Sequence, residues 1–145
     1  MQIEKSLKSD PKTKLKNQKQ ALDFFILEDD PIFARIFAKN LHKTFPNARI
    51  STFENAIEAI EALPNGCIPP SVIILDVLLT GPDGFTFLNE IASYPDLSNV
   101  PVIIVSSLNF PMSSLDSYNV KKILNKTTMQ PEDLSSAVIE VLGNH

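Results

Sequence analysis

The chain has 145 residues, enough for one domain with a real core, and 43% of them are apolar. No window reaches the ~18 apolar residues of a membrane span, and no apolar stretch follows the lysine-rich start, so no secretory signal is expected. The one cysteine, Cys67 in the turn-like PNGCIPP, excludes an intrachain disulfide and suits a reducing cytoplasm.

The net charge of −4 is unevenly spread. Residues 1–20 carry six lysines against Glu4 and Asp10, with few apolar residues, so a basic disordered tail is expected there and a folded domain over 21–145. Such tails are commonly plain solvated extensions, although they also suit acidic partners, membrane surfaces or nucleic acid. The remaining seven Lys/Arg stand against fifteen Asp/Glu, and so acidic a body argues against direct DNA binding.

Leu22 to Leu27 reads as a strand, followed by Glu28, Asp29 and Asp30. Asp30-Pro31 is a helix start, with aspartate as cap and proline at the first helical position. Ile32, Phe33, Ile36, Phe37, Asn40 and Leu41 keep helical spacing to about Thr44. Ala48 to Phe53 alternates as a short strand, and the next helix is expected to place Ala56, Ile57, Ile60 and Leu63 on one face. Val72 to Leu75 is a short apolar run of the kind a strand buried on both faces shows, and Asp76 stands at its end. Gly81 to Gly84 turns the chain into a helix striped by Phe85, Phe87, Leu88 and Ile91. Pro101 to Val105 is a fourth strand, ended by Ser106-Ser107. The crossover from Leu108 to Tyr118 holds Pro111 and several serines, so any helix in it is expected to be short. Lys121 to Leu124 is a fifth strand with Asn125 and Lys126 at its end, and Pro131 to Leu142 is the last helix.

Five alternations of strand and helix with short connections imply an α/β fold, a parallel five-stranded sheet with helices on both faces. Ligands in such folds bind outside the carboxyl ends of the strands. Glu28, Asp29, Asp76, Ser106 and Lys126 all stand at those ends and should converge. Close carboxylates repel one another unless a cation lies among them, and oxygen donors without a His or Cys cluster favour Mg²⁺ over zinc. A carboxylate beside such an ion can attack phosphorus and form an acyl phosphate. Lys126 and the Ser106 hydroxyl would then stabilise the phosphoryl oxygens. Singly, each residue has an ordinary explanation: Asp76 and Ser106 as turn formers, Lys126 as a solvated lysine like Lys121 and Lys122.

The motifs FILEDDP, VIILDVLLTGPDG, PVIIVSS and ILNK, in this order over roughly residues 22–143, resemble the receiver domains of two-component response regulators. The resemblance implies a flavodoxin-like (βα)5 fold with strand order 2-1-3-4-5. It implies that Asp76 is the phosphoacceptor, that Glu28, Asp29 and Asp76 hold Mg²⁺ with the Leu78 backbone carbonyl, and that Ser106 and Lys126 are the switch hydroxyl and the active-site lysine. Asp30 suits the helix cap better than the metal. The implied donor is a sensor histidine kinase or a histidine phosphotransfer protein in the cytoplasm, and a homodimer is left open. With no output region after Gly143, a stand-alone single-domain regulator is expected, a switch more than an enzyme, signalling by docking an output protein or by onward phosphorelay.

The chain departs from the family pattern at Thr80, where proline is common, with Pro82 two places on. It departs again at Ile123, the aromatic switch position, and at Thr127, where proline often follows the lysine in a cis peptide. Leu78 and Leu108 flank the site and cannot position a hydrolytic water, so a long-lived phosphoryl group is expected. The departures leave open a phosphorylation-independent pseudo-receiver that acts as a protein-binding scaffold. A haloacid-dehalogenase-like phosphatase would want a second aspartate where Leu78 stands, and a flavin binder would want a phosphate loop after the first strand.

Overall fold

A computed structural model describes residues 22–63, 69–77, 84–107, 115 and 117–143. The segment 1–20, Cys67, Leu78, Thr80, Pro82, Leu108 and Pro111 lie outside the described residues. Strands β1 (Asp23–Leu27), β2 (Arg49–Phe53), β3 (Val72–Leu75), β4 (Val102–Ser106) and β5 (Val120–Asn125) form one parallel sheet in the order β2-β1-β3-β4-β5. The described helices are α1 (Pro31–Thr44), α2 (Ala56–Ala62), α3 (Gly84–Ala92) and α4 (Pro131–Gly143). The expected flavodoxin-like parallel sheet of order 2-1-3-4-5 is therefore observed, with four helices among the described residues, and each of these elements lies within about two residues of its expected place.

Alternation along the central strands makes two cores. Phe25, Leu27, Ile73, Leu75, Val102 and Ile104 face α2 and α3. Their neighbours Phe24, Ile26, Val72, Ile74, Ile103 and Val105 face α1 and α4. Successive side chains of a strand point to opposite faces, so a strand covered on both sides must be apolar at every position. All four residues of β3 are buried, and so are all five of β4, where Ser106 follows the apolar run Val102–Val105. Edge strand β2 is half-exposed, which explains its mixed sequence.

Two helix faces differ from expectation. Ile32 is 61% exposed and Ile36 also faces outward, because α1 seats Phe37 and Leu41 in the core with Phe33 beside them. In α2, Ile57 is 52% exposed, while Ala56, Ala59 and Leu63 make the buried stripe. Ala59 is 1% exposed, so the residue that α2 turns to the sheet is the small one and not its larger neighbour Ile57. At the start of α1, Asp30 accepts from the Ile32 N–H at 2.9 Å, as its role as a cap requires. Asp30→Ala is expected to lower stability by about 1 kcal/mol, read from urea denaturation. An unchanged midpoint would mean that Pro31 alone suffices to start the helix.

Candidate active site at the carboxyl edge of the sheet

Backbone hydrogen bonds align the strand ends and so bring the polar residues together. The Glu28 N–H donates to Phe53 O at 3.0 Å, that of Asp76 to Leu27 O at 2.9 Å, and that of Lys126 to Ser106 O at 2.9 Å. Glu28, Asp76 and Lys126 thus each stand one residue beyond the end of a strand, and Ser106 is the last residue of β4. All five residues singled out in the sequence lie along this edge.

Lys126 is the hub. Its Nζ lies 2.7 Å from Asp76 Oδ2, 2.8 Å from Glu28 Oε1 and 3.1 Å from Glu28 Oε2. The Glu28 and Asp76 side chains are 1% and 6% exposed, and that of Lys126 is 12% exposed. Ser106 is fully buried. Burial pulls the Lys126 ammonium down, but hydrogen bonds and charge from Asp76 and Glu28 outweigh it and raise its pKa above the ordinary 10.5. For Glu28 burial dominates: its pKa is raised above the ordinary 4.5, despite the hydrogen bonds from Lys126 and from the Asp30 N–H.

A raised native value means that the folded state binds the proton more tightly than the unfolded chain does. The Glu28 contribution to stability is therefore fully present below about 4.5 and is lost as pH rises through the raised value. Ordinary ion-paired carboxylates act in the opposite sense. In chelator, Glu28→Gln is expected to flatten the loss of stability as pH rises above about 4.5, read from urea midpoints. A variant with a steeper loss would contradict this sign.

Glu28, Asp29 and Asp76 each offer a carboxylate oxygen, and these oxygens lie within 4.8 Å of one another. Glu28 Oε1 is buried without a hydrogen-bond partner, although the ammonium neutralises it at ion-pair distance. Three hard oxygen donors, one of them with spare accepting capacity, fit a small divalent cation such as Mg²⁺. The fourth expected ligand, the Leu78 carbonyl, lies outside the described residues, as does Leu108.

Two features of the site were not legible in the sequence as read. Thr127, at the position where the family often has proline, donates its N–H to Asn125 Oδ1 at 2.8 Å and its hydroxyl to the same oxygen at 2.6 Å. Proline has no N–H to offer, so this chain closes the loop after Lys126 with a side-chain turn. Phe33, expected only as part of an apolar stripe, lies under Lys126, with Nζ 4.6 Å from its ring centroid. The available signal was its place in the first turn of a helix that starts at the carboxyl edge. Ile123 is partly buried against the core shared with α2 and α3, where Tyr118 also packs. The Tyr118 hydroxyl donates to Asn89 Oδ1 on α3, so the nearby aromatic is engaged away from the carboxylates.

The chain is similar to known proteins in sequence and in fold. The rice two-component response regulator ORR6 is 31% identical over 86 residues, 59% of this chain and 49% of that protein. The chain spans about half the length of the plant response regulators it matches. Among solved structures, the signal receiver domain of a signal transduction histidine kinase from Syntrophus aciditrophicus superposes with a TM-score of 0.70 at 27% identity, covering 86% of this chain and 92% of that one. The receiver domain of a Pseudomonas aeruginosa sensor histidine kinase, which has magnesium coordinated in its active-site cleft, gives a TM-score of 0.70 at 17% identity over 86% of this chain and 99% of that one. The family model of the response regulator receiver domain matches residues 24–139. Because that match runs from the first strand into the last helix, the chain belongs to the response regulator receiver domain family.

Proposed function

We propose that this chain is a phosphorylation switch that accepts a phosphoryl group on Asp76 from a phosphohistidine in a sensor histidine kinase or a histidine phosphotransfer protein. The observation that carries the reading is the Lys126 ammonium bridging Asp76 and Glu28 beside Asp29 at the ligand-binding edge of the sheet. An Asp76 oxygen attacks phosphorus, and the O–P bond forms as the P–N bond breaks and its electron pair returns to the donor imidazole. Lys126, which holds Asp76 Oδ2 before transfer, is close enough to follow the charge onto a phosphoryl oxygen. Ser106, at the end of the neighbouring strand, supplies a hydroxyl that can donate to another. Glu28 and Asp29, with Asp76, would hold Mg²⁺, as the donor set suits and as a structural neighbour does in its own cleft. The bound ion supplies positive charge beside the transferring group. Phosphorylation would be read by a docked output protein or passed on to another histidine.

The test is incubation of the purified protein with acetyl phosphate, with and without Mg²⁺, followed by intact mass, with Asp76→Asn as control. A single acid-labile adduct that needs both Mg²⁺ and Asp76 is expected. A folded protein that stays unmodified by acetyl phosphate and by histidine kinases alike would favour the scaffold reading, in which partner binding survives Asp76→Asn. The adduct should also be long-lived, because positions 78 and 108 are leucines, whose side chains cannot hydrogen-bond a hydrolytic water. Leu78→Asn and Leu108→Glu are expected to accelerate phosphate loss; fast loss in wild type, unaffected by either change, would remove this expectation.

A further inference from the structure

Phe33 owes its place to the start of α1. Asp30 caps the helix and Pro31 opens it, so residue 33 falls in the first turn, level with the carboxyl ends of the strands. Its ring packs on Phe37, with centroids 5.8 Å apart, and borders the core shared by α1 and α4. That much is ordinary packing. What packing does not require is the second contact: Lys126 Nζ sits over the ring at 4.6 Å from its centroid. An ammonium is compact, strongly hydrated and carried on a flexible stem, so holding it out of water in one place needs partners for all of its surroundings. Glu28 and Asp76 supply two of them. The negative face of the aromatic ring supplies a third that attracts the charge without accepting its proton, and it stays in place if a carboxylate is modified.

We propose that Phe33 is a positioning residue for Lys126, its ring face holding the ammonium in the place from which it reaches Asp76. Asp76, once phosphorylated, no longer carries the carboxylate charge that Lys126 faces, and Glu28 is called upon by a metal ion. The ring is the one of these partners whose contact neither event removes. This inference rests on the reading of Asp76 as phosphoacceptor. A leucine at 33 would fill the core yet leave the ammonium to wander or hydrate.

The test uses the full chain with Phe33 replaced by mono-, di- and trifluorinated phenylalanines, which nearly keep the shape while progressively weakening the negative ring face. The rate of Mg²⁺-dependent phosphorylation by acetyl phosphate is expected to fall stepwise along the series, reaching roughly fivefold for the trifluoro ring and for Phe33→Leu. Urea midpoints along the fluorinated series should stay level. In metal-free protein, the Lys126 Cε protons should show an upfield ring-current shift in wild type that is lost in Phe33→Leu. A rate unchanged along the series, or wild-type Cε protons without that shift, would overturn the proposal. A wild type that takes up no phosphate would sink the phosphoacceptor reading instead, and the ring-current shift would then report separately on whether the ring holds the ammonium.

Discussion

Asp76→Asn is expected to abolish phosphate uptake while changing stability by no more than about 1 kcal/mol, whereas Lys126→Met should cost about 3 kcal/mol in chelator and slow phosphorylation by roughly 100-fold. The asymmetry follows from how one cation serves two carboxylates. Removing the Asp76 charge leaves Lys126 paired with Glu28 at 2.8 Å and relieves the repulsion between neighbouring carboxylates. Removing the ammonium takes away the cation that two nearly buried carboxylates share, beside Asp29. Breaking a buried pair from one side is costly because the partner keeps its charge and has lost its solvation. A divalent cation bound by the cluster should therefore rescue the variant. Saturating Mg²⁺ is expected to raise the urea midpoint of Lys126→Met more than that of wild type, since ligand binding to the native state alone stabilises it. Equal stability of wild type and Lys126→Met in chelator would show that the ammonium is not holding the cluster together.

Gly84→Ala is expected to destabilise the protein by about 2 kcal/mol and to slow phosphorylation of Asp76 by roughly tenfold. Gly84 opens α3, and its N–H donates to Val77 O at 3.1 Å, which draws the helix start against the end of β3. A Cβ there would lie 2.5 Å from Val77 Cα, 2.8 Å from Asp76 O and 3.2 Å from Leu75 Cδ1. The first two are backbone atoms, which cannot rotate away as a side chain would. Alanine is the better helix former by up to about 1 kcal/mol, but that gain applies to a helix interior and is smaller at a first residue. The backbone would have to yield, and the yielding segment carries Asp76, so stability and phosphorylation should fall together. An alanine variant with wild-type stability would mean that α3 can shift away without disturbing the strand end.

These two sites mark where sequence reasoning reaches and where it stops. The parallel sheet was legible because buried parallel strands must be apolar throughout, and Val72–Leu75 and Val102–Val105 are. The candidate site was legible because Glu28, Asp29, Asp76, Ser106 and Lys126 each follow or end a strand of this sheet, and strands that run in parallel bring those ends to one edge. The division of the acidic triplet was also legible, since a proline directly after Asp30 marks a helix start and leaves Glu28 and Asp29 for the edge.

Tertiary structure alone decided the matters in which one dimension of pattern has several solutions in three. Ile32, Ile36 and Ile57 have the spacing of a buried stripe, yet the helices turn Phe37, Leu41 and Ala59 inward, because a helix is oriented by the volumes it meets on the sheet. Phe33 reads as core in any hydropathy pattern. Only the approach of β5 to the first turn of α1 sets an ammonium over its ring, with 92 intervening residues of chain folded between them. Likewise, Thr127 looked like a lost proline until the Asn125 side chain was seen to accept its N–H. Which residues carry charge and where strands end are local properties, recorded in the chain's own order. Which of them touch depends on distances across the fold, and no spacing along the chain contains those.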